Sequence, residues 1–233
     1  MANETDEKAP QKAATNSVDD STVVDRAVAY AIENQRLVYG ALIAFVVVLG
    51  AIWVWGDRAE KQQAEALEEM APAVTLYEQG QYQLALDGRD GSYGLLDILD
   101  IYGGTPAANL VRYYVADSYF RLGQFEDALE YFDRFDPPAN TVGASAIAAQ
   151  AMIYENEGSF GQAVSLYKRA AAHVDDQIMS PLYLLAAARA ADADGDARGA
   201  VSILDDLQDR YEDAPAAQEA QMLSVKYAAK AAE

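Results

Sequence analysis

The chain of 233 residues has 37 acidic against 17 basic side chains, a formal charge of −20, with 22 Asp to 15 Glu and only six Lys. Nucleic acid and anionic lipid are poor partners for such a surface, because both require clustered Lys and Arg. The lack of cysteine excludes disulfides and thiol chemistry, and His173, the single histidine, excludes multi-histidine metal sites.

Residues 1–22 are polar and rich in Ala, Asp, Glu, Asn and Thr, with too little apolar surface to offset ordering entropy, which predicts a disordered acidic tail. From Val23 the pattern VVDRAVAYAIENQRLV becomes helical and predicts an amphipathic lead-in over residues 23–36. Residues 37–55, LVYGALIAFVVVLGAIWVW, then run without a charge. At about 1.5 Å per residue they reach roughly 28 Å as a helix, close to the hydrocarbon thickness of a bilayer. Eleven of these residues are Leu, Ile, Phe or Val. Their insertion is favourable by at most roughly 3 to 7 kcal/mol. Trp53 and Trp55 close the run and Tyr39 lies near its start, at the depth aromatic rings prefer.

A cleaved signal peptide is the competing reading. It fits poorly, because 36 residues with seven acidic groups precede the run, and Arg58, Glu60 and Lys61 separate it from the small residues Ala64 and Ala66. Charge gives little topology: Arg26 and Arg36 on one side balance Arg58 and Lys61 on the other, and Lys8 and Lys12 tilt the tail toward the cytoplasm.

Residues 57–233 predict one repeat domain. After Gly56 the run DRAEKQQAEALEEMAPAVTLYEQG favours helix, with an interruption expected at Pro72. Four segments then share one template: EQGQYQLAL, RLGQFEDALEYF, NEGSFGQAVSLY and ADGDARGAVSIL. Their glycines are Gly80, Gly123, Gly158 and Gly195, spaced 43, 35 and 37 residues apart, and five positions on stand Ala85, Ala128, Ala163 and Ala200. A left-handed glycine ends one helix, and a small residue early in the next lets the two backbones approach. Ala116, Ala151 and Ala188 supply small residues on the first helices, and Phe132, Tyr167 and Leu204 bulky inward residues on the second. Between the first two units, Asp87 to Gly94 predicts a loop and Leu95 to Tyr102 a short helix ended by Gly103 and Gly104. Ala214 to Ala231, with Ala216, Ala220, Leu223 and Tyr227 at helical spacing, predicts a capping helix.

This pattern resembles the tetratricopeptide repeat, whose period is about 34 residues. The expected fold is all-α: a single N-terminal transmembrane helix followed by a tetratricopeptide-like α-solenoid of three to four helix pairs and a C-terminal cap. With the tail and span, the chain resembles the YfgM-like ancillary subunits of the Sec translocon, in the form found in Bacteroidota and their relatives, especially over LALDGRDGSYGLLDILDIYGGTPAANLVRYYVADSYFRLGQFEDALEYF. That resemblance implies an accessory subunit linking the translocon to a membrane-anchored periplasmic chaperone of prolyl-isomerase type. It also implies a single-pass inner-membrane protein with its repeat domain in the periplasm. A scaffold of another envelope complex, in cell division or cell-wall synthesis, is the alternative.

By the geometry of the repeat family the binding groove would be lined by Tyr113, Asp117, Phe120 and Arg121 in one unit. Met152, Glu155 and Asn156 would follow in the next, and Leu185, Arg189 and Asp192 in the third. Aromatic and Met side chains there suit an apolar or extended peptide segment, although packing between repeats explains Tyr113, Phe120 and Met152 equally. Tyr113 and Asp117 occupy the places where some repeat proteins hold a Lys and Asn clamp for a carboxylate, so that recognition is not expected. No catalytic constellation can be assembled, and no enzyme activity, cofactor or small-molecule substrate is expected. His173 in AAAHVDD is expected at a helix end, where a partly charged ring suits the dipole. The run DADGD at Asp192 to Asp196 matches the start of a calcium loop, but position 12 is Ile203 rather than Glu, and an inter-helix turn explains it.

Overall fold

The computed structural model describes residues 28, 30, 32, 34–89 and 91–232, with the side chains of 37–39, 41, 42, 51, 52, 54, 55 and 57 excepted. The tail expected over 1–22, and most of the lead-in expected over 23–36, lie outside these residues. From Gln35 onward, among the described residues, ten α-helices follow one another: α1 (Gln35–Glu78), α2 (Tyr82–Asp87), α3 (Leu95–Tyr102), α4 (Ala107–Arg121), α5 (Phe125–Asp133), α6 (Thr141–Asn156), α7 (Phe160–Val174), α8 (Met179–Ala193), α9 (Ala197–Arg210) and α10 (Pro215–Lys230). The chain divides into two compact units, 1–57 and 58–233.

In the first unit the described apolar side chains of α1 face outward. Ile43, Phe45, Val46, Val47, Val48, Leu49 and Trp53 are all between 49 and 75% exposed. Among the described residues no helix is long and apolar enough to cross a membrane. Several side chains of the run 37–55 lie outside that description.

The second unit is a stack of helix pairs. The second half of α1 pairs with α2, α4 with α5, α6 with α7 and α8 with α9, and α10 packs on α8 and α9. Helix α3 and the Gly88–Gly94 turn are inserted between the first pair and the second. One turn recurs at every pair. Gly80, Gly123, Gly158 and Gly195 all take left-handed φ between 74 and 87°. The amide of the residue after each glycine reaches the carbonyl five back: Gln81 to Leu76, Gln124 to Tyr119, Ser159 to Tyr154 and Asp196 to Ala191, at 2.8 to 2.9 Å. These bonds satisfy the last carbonyls of the first helix and set the sharp reversal into the second. Ala85, Ala128, Ala163 and Ala200 then lie at 0% exposure, since any larger side chain there would push the paired backbones apart.

The core runs in three patches along the stack. Met70, Ala73, Leu86, Leu95, Ile98 and Val111 fill the first. Phe132, Phe135 and Ile153 fill the second, and Ile147, Leu184, Leu204 and Leu207 anchor the third. Burying each such Leu, Ile or Phe is worth about 1.5 to 3 kcal/mol, which is what orders helices too short to stand alone.

The interruption expected at Pro72 does not occur, because α1 runs through it. Met70 and Ala73 on either side are buried at 5 and 0% exposure, and that packing offsets the lost backbone bond and the ring clash, a cost of about 3 kcal/mol. Helix α3 has the expected bounds. The first pair differs from the others in its second helix, which has only six residues.

Candidate functional site

Helix α4 brings four of the expected groove residues onto one stripe, and two of them are joined by a polar network. The carboxylate of Asp117, 6% exposed, accepts a hydrogen bond from the Tyr77 hydroxyl of α1 and a 3.1 Å bond from Nε of Arg121. Burial and the adjacent Asp117 charge push the Tyr113 phenol up to about 12 and the Tyr77 phenol higher still, with a hydrogen bond to Asp117 adding to the latter. Both phenols therefore stay neutral at physiological pH. An aromatic chain extends from them: Tyr77 to Tyr114 at 5.0 Å, Tyr114 to Tyr113 at 5.6 Å and Tyr113 to Phe135 at 5.7 Å between ring centres. Phe120 is half-buried and leans on Phe125 at 6.0 Å.

On α6 the expected residues separate by role. Met152 is 48% exposed and Asn156 is exposed, so both are open to a partner. Glu155 accepts a 2.7 Å bond from the Tyr167 hydroxyl of α7, which fastens the two helices of its own pair. Burial and this bond push the Tyr167 phenol well above the ordinary tyrosine range.

The third unit is covered. Leu185 is buried at 3% exposure in the core, while Arg189 and Asp192 are engaged by the capping helix. Nη2 of Arg189 donates to Glu219, and Nζ of Lys230 reaches Oδ1 of Asp192 at 2.6 Å. On this stripe Met152 and Asn156 of α6 stand exposed, Tyr113 and Phe120 of α4 are half-buried against the second core patch with their remaining surface uncovered, and α10 covers the stripe at α8.

Sequence reading missed Tyr77, Glu219 and Lys230, which complete these networks across 40, 30 and 38 residues. A tyrosine three residues before a helix-ending glycine is a faint signal for the first. For the other two, sequence spacing holds none. DADGD forms the α8–α9 turn, where Asp196 accepts from the Gly199 amide at 2.8 Å and caps α9. Among the described residues no group of three or more His, Cys, Asp or Glu could hold a metal ion.

No family model matches the chain, and no curated protein matches it. Its fold does have counterparts among solved structures. The chain is similar to a kinesin light chain of Podosopora anserina with nearly identical TPR-like repeats, and equally to a form of that protein with one substitution. In each case identity is 17%, the TM-score is 0.53, and the match covers 73% of this chain and 88% of the other. The repeat domain accordingly has the all-helical TPR-like solenoid fold.

Proposed function

We propose that the chain is a membrane-anchored scaffold that binds other proteins through the open face of α4 and α6. The observation that carries this reading is the pairing of a TPR-like solenoid with an uncharged run whose described side chains, Ile43 to Trp53, stand exposed. So many contiguous apolar groups in water call for a covering phase, and a lipid bilayer provides one. On this reading residues 37–55 cross the inner membrane once, the acidic tail is cytoplasmic and the repeat domain is periplasmic.

The resemblance to the YfgM-like subunits supports a finer assignment, an accessory subunit that holds a prolyl-isomerase-type chaperone beside the Sec translocon. Binding, and not catalysis, is its activity. Purification of the tagged full chain after crosslinking in mild detergent tests the assignment. It predicts recovery of translocon subunits and the chaperone, whereas recovery of division or cell-wall synthesis proteins in their place would overturn it.

A further inference from the structure

Helix α10 is apolar on two sides. Ala216, Ala220 and Tyr227 are buried in the core shared with α8 and α9, at 7, 0 and 4% exposure. On the opposite side Met222 and Val225 stand 68 and 71% exposed, with Gln218 and Ala229 exposed before and after them. The cap of a solenoid ordinarily turns a polar face outward, and a helix apolar on both sides belongs in an interior.

The outward residues follow a definite order. Gln218, Met222, Val225 and Ala229 succeed one another at steps of four, three and four, the spacing of a coiled-coil seam. Glu219 and Lys226, seven apart, flank this seam on one edge, and Gln221 and Ala228, also seven apart, on the other. Lys226 lies over the Tyr227 ring at 5.5 Å and holds no carboxylate among the described residues, whereas Lys230 on the same helix holds Asp192.

We infer that the outward face of α10 pairs with the same face of a second copy of the chain, in antiparallel orientation. A two-fold axis between Met222 and Val225 sets Met222 of each copy against Val225 of the other, and Gln218 against Ala229, so a longer side chain meets a shorter one in every layer. Such an axis leaves each edge of the helix facing the same edge of its partner. Lys226 then meets Glu219 of the other copy, twice by symmetry, and the second edge brings together no charges. Glu219 gives one carboxylate oxygen to Arg189 and keeps the other for this contact. A parallel pair would set Lys226 against the uncharged edge instead, so the charges select the direction. Glu219 is also the only acid of α10, and the face therefore escapes much of the repulsion that a charge of −20 imposes between copies. A helix of 16 residues is about 24 Å long, and one such pair buries less than the roughly 800 Å² per partner of a stable interface. The dimer is accordingly weak, with a dissociation constant on the order of 0.1 mM.

The chain has no cysteine, so single substitutions report the pairing without background. Gln218→Cys and Ala229→Cys, on full chains with tags of different size, are mixed at about 0.2 mM in mild detergent and oxidised with copper phenanthroline. Both positions are exposed, and circular dichroism matching the parent checks that the fold is kept. The expected result is a disulfide between the two variants with at least about fivefold less of either self-link, because each residue lies eleven positions, about 16 Å along the axis, from its own counterpart. Lys226→Glu, which sets like charges opposite one another, should lower the mixed product about fivefold. Self-linking of Gln218→Cys equal to the mixed product overturns the inference, since a parallel pair or random contact within a micelle gives that pattern. Absence of the mixed disulfide, or a yield untouched by Lys226→Glu, overturns it as well. So does a photocrosslinker at Val225 that traps another protein or lipid in cells in place of a second copy.

Discussion

The hydroxyl of Tyr77, at the end of the first long helix, donates to the carboxylate of Asp117 in the middle of α4, forty residues on. Asp117 in turn holds Arg121, so one buried acid locks the first helix pair to the second. Substitution of Asp117 by Ala leaves the Tyr77 hydroxyl without its acceptor and should cost about 1 to 3 kcal/mol. Tyr77→Phe, which removes the donor but keeps the ring, should cost only about 1 kcal/mol. Urea unfolding of the repeat domain measures both, and an Asp117→Ala variant as stable as the parent would refute this role.

The phenols give a pH dependence with a definite sign. Tyr77, Tyr113 and Tyr167 are held above the ordinary tyrosine value by burial first, with Asp117 or Glu155 adding to it. A folded-state value above the unfolded one means the native state keeps its protons longer, so the stability is fully present below about pH 10 and falls as pH rises beyond it. For Tyr113 the loss runs from about 10 to about 12. Tyrosinate absorbance and circular dichroism followed together should show ionisation of these residues coinciding with unfolding. Full ionisation near pH 10 with the helices intact would contradict the packing described.

The recurring turn makes a backbone prediction. Gly123 and Gly158 have φ of 74 and 77°, and a Cβ on either would meet no atom within 4 Å. Alanine at either therefore meets only left-handed strain, about 1 kcal/mol, and the two losses should add. At Gly94 a Cβ would stand 2.2 Å from the Leu86 carbonyl oxygen, so Gly94→Ala should destabilise by clearly more than either. Chemical denaturation of the three variants ranks them.

The four turns show how much of the solenoid is legible in the chain. Gly80, Gly123, Gly158 and Gly195, each with an alanine five residues on, are local demands of a backbone reversal and a close helix approach, so they stand in the sequence at their true positions. Leu95 to Tyr102 and the cap after Ala214 are likewise marked by local stop and start signals. The open face is legible only in part. Arg189 and Asp192 have the spacing of groove residues, yet Glu219 and Lys230 reach them from a helix that periodicity places only as a cap. Pro72 misleads for the same reason, because the packing of Met70 and Ala73 is tertiary.

The capping helix is predicted to hold by apolar contact rather than by charge. Its Arg189–Glu219 pair is about half exposed on both side chains, and removing it should cost at most about 1 kcal/mol. Tyr227 is 4% exposed, and Tyr227→Ala should cost about 3 kcal/mol or more. Thermal unfolding of Glu219→Gln against Tyr227→Ala decides between the two contributions, and equal losses would refute it.

Net charge sets a salt dependence. At −20 the folded chain repels itself, and raising ionic strength from 0.1 to 1 M shortens the screening length from about 10 to about 3 Å. The melting temperature should rise across that range, and a flat or falling profile would show that local ion pairs outweigh the net repulsion.

The most direct test of the scaffold reading is photocrosslinking in cells from single crosslinking residues at Phe120 and Met152, with Lys168 on the exposed side of α7 as the control position. Both sites on the open face are expected to trap a common set of membrane or exported proteins, and Lys168 is expected to trap none of them. Traps that are equal at all three positions, or absent from Phe120 and Met152, would contradict it.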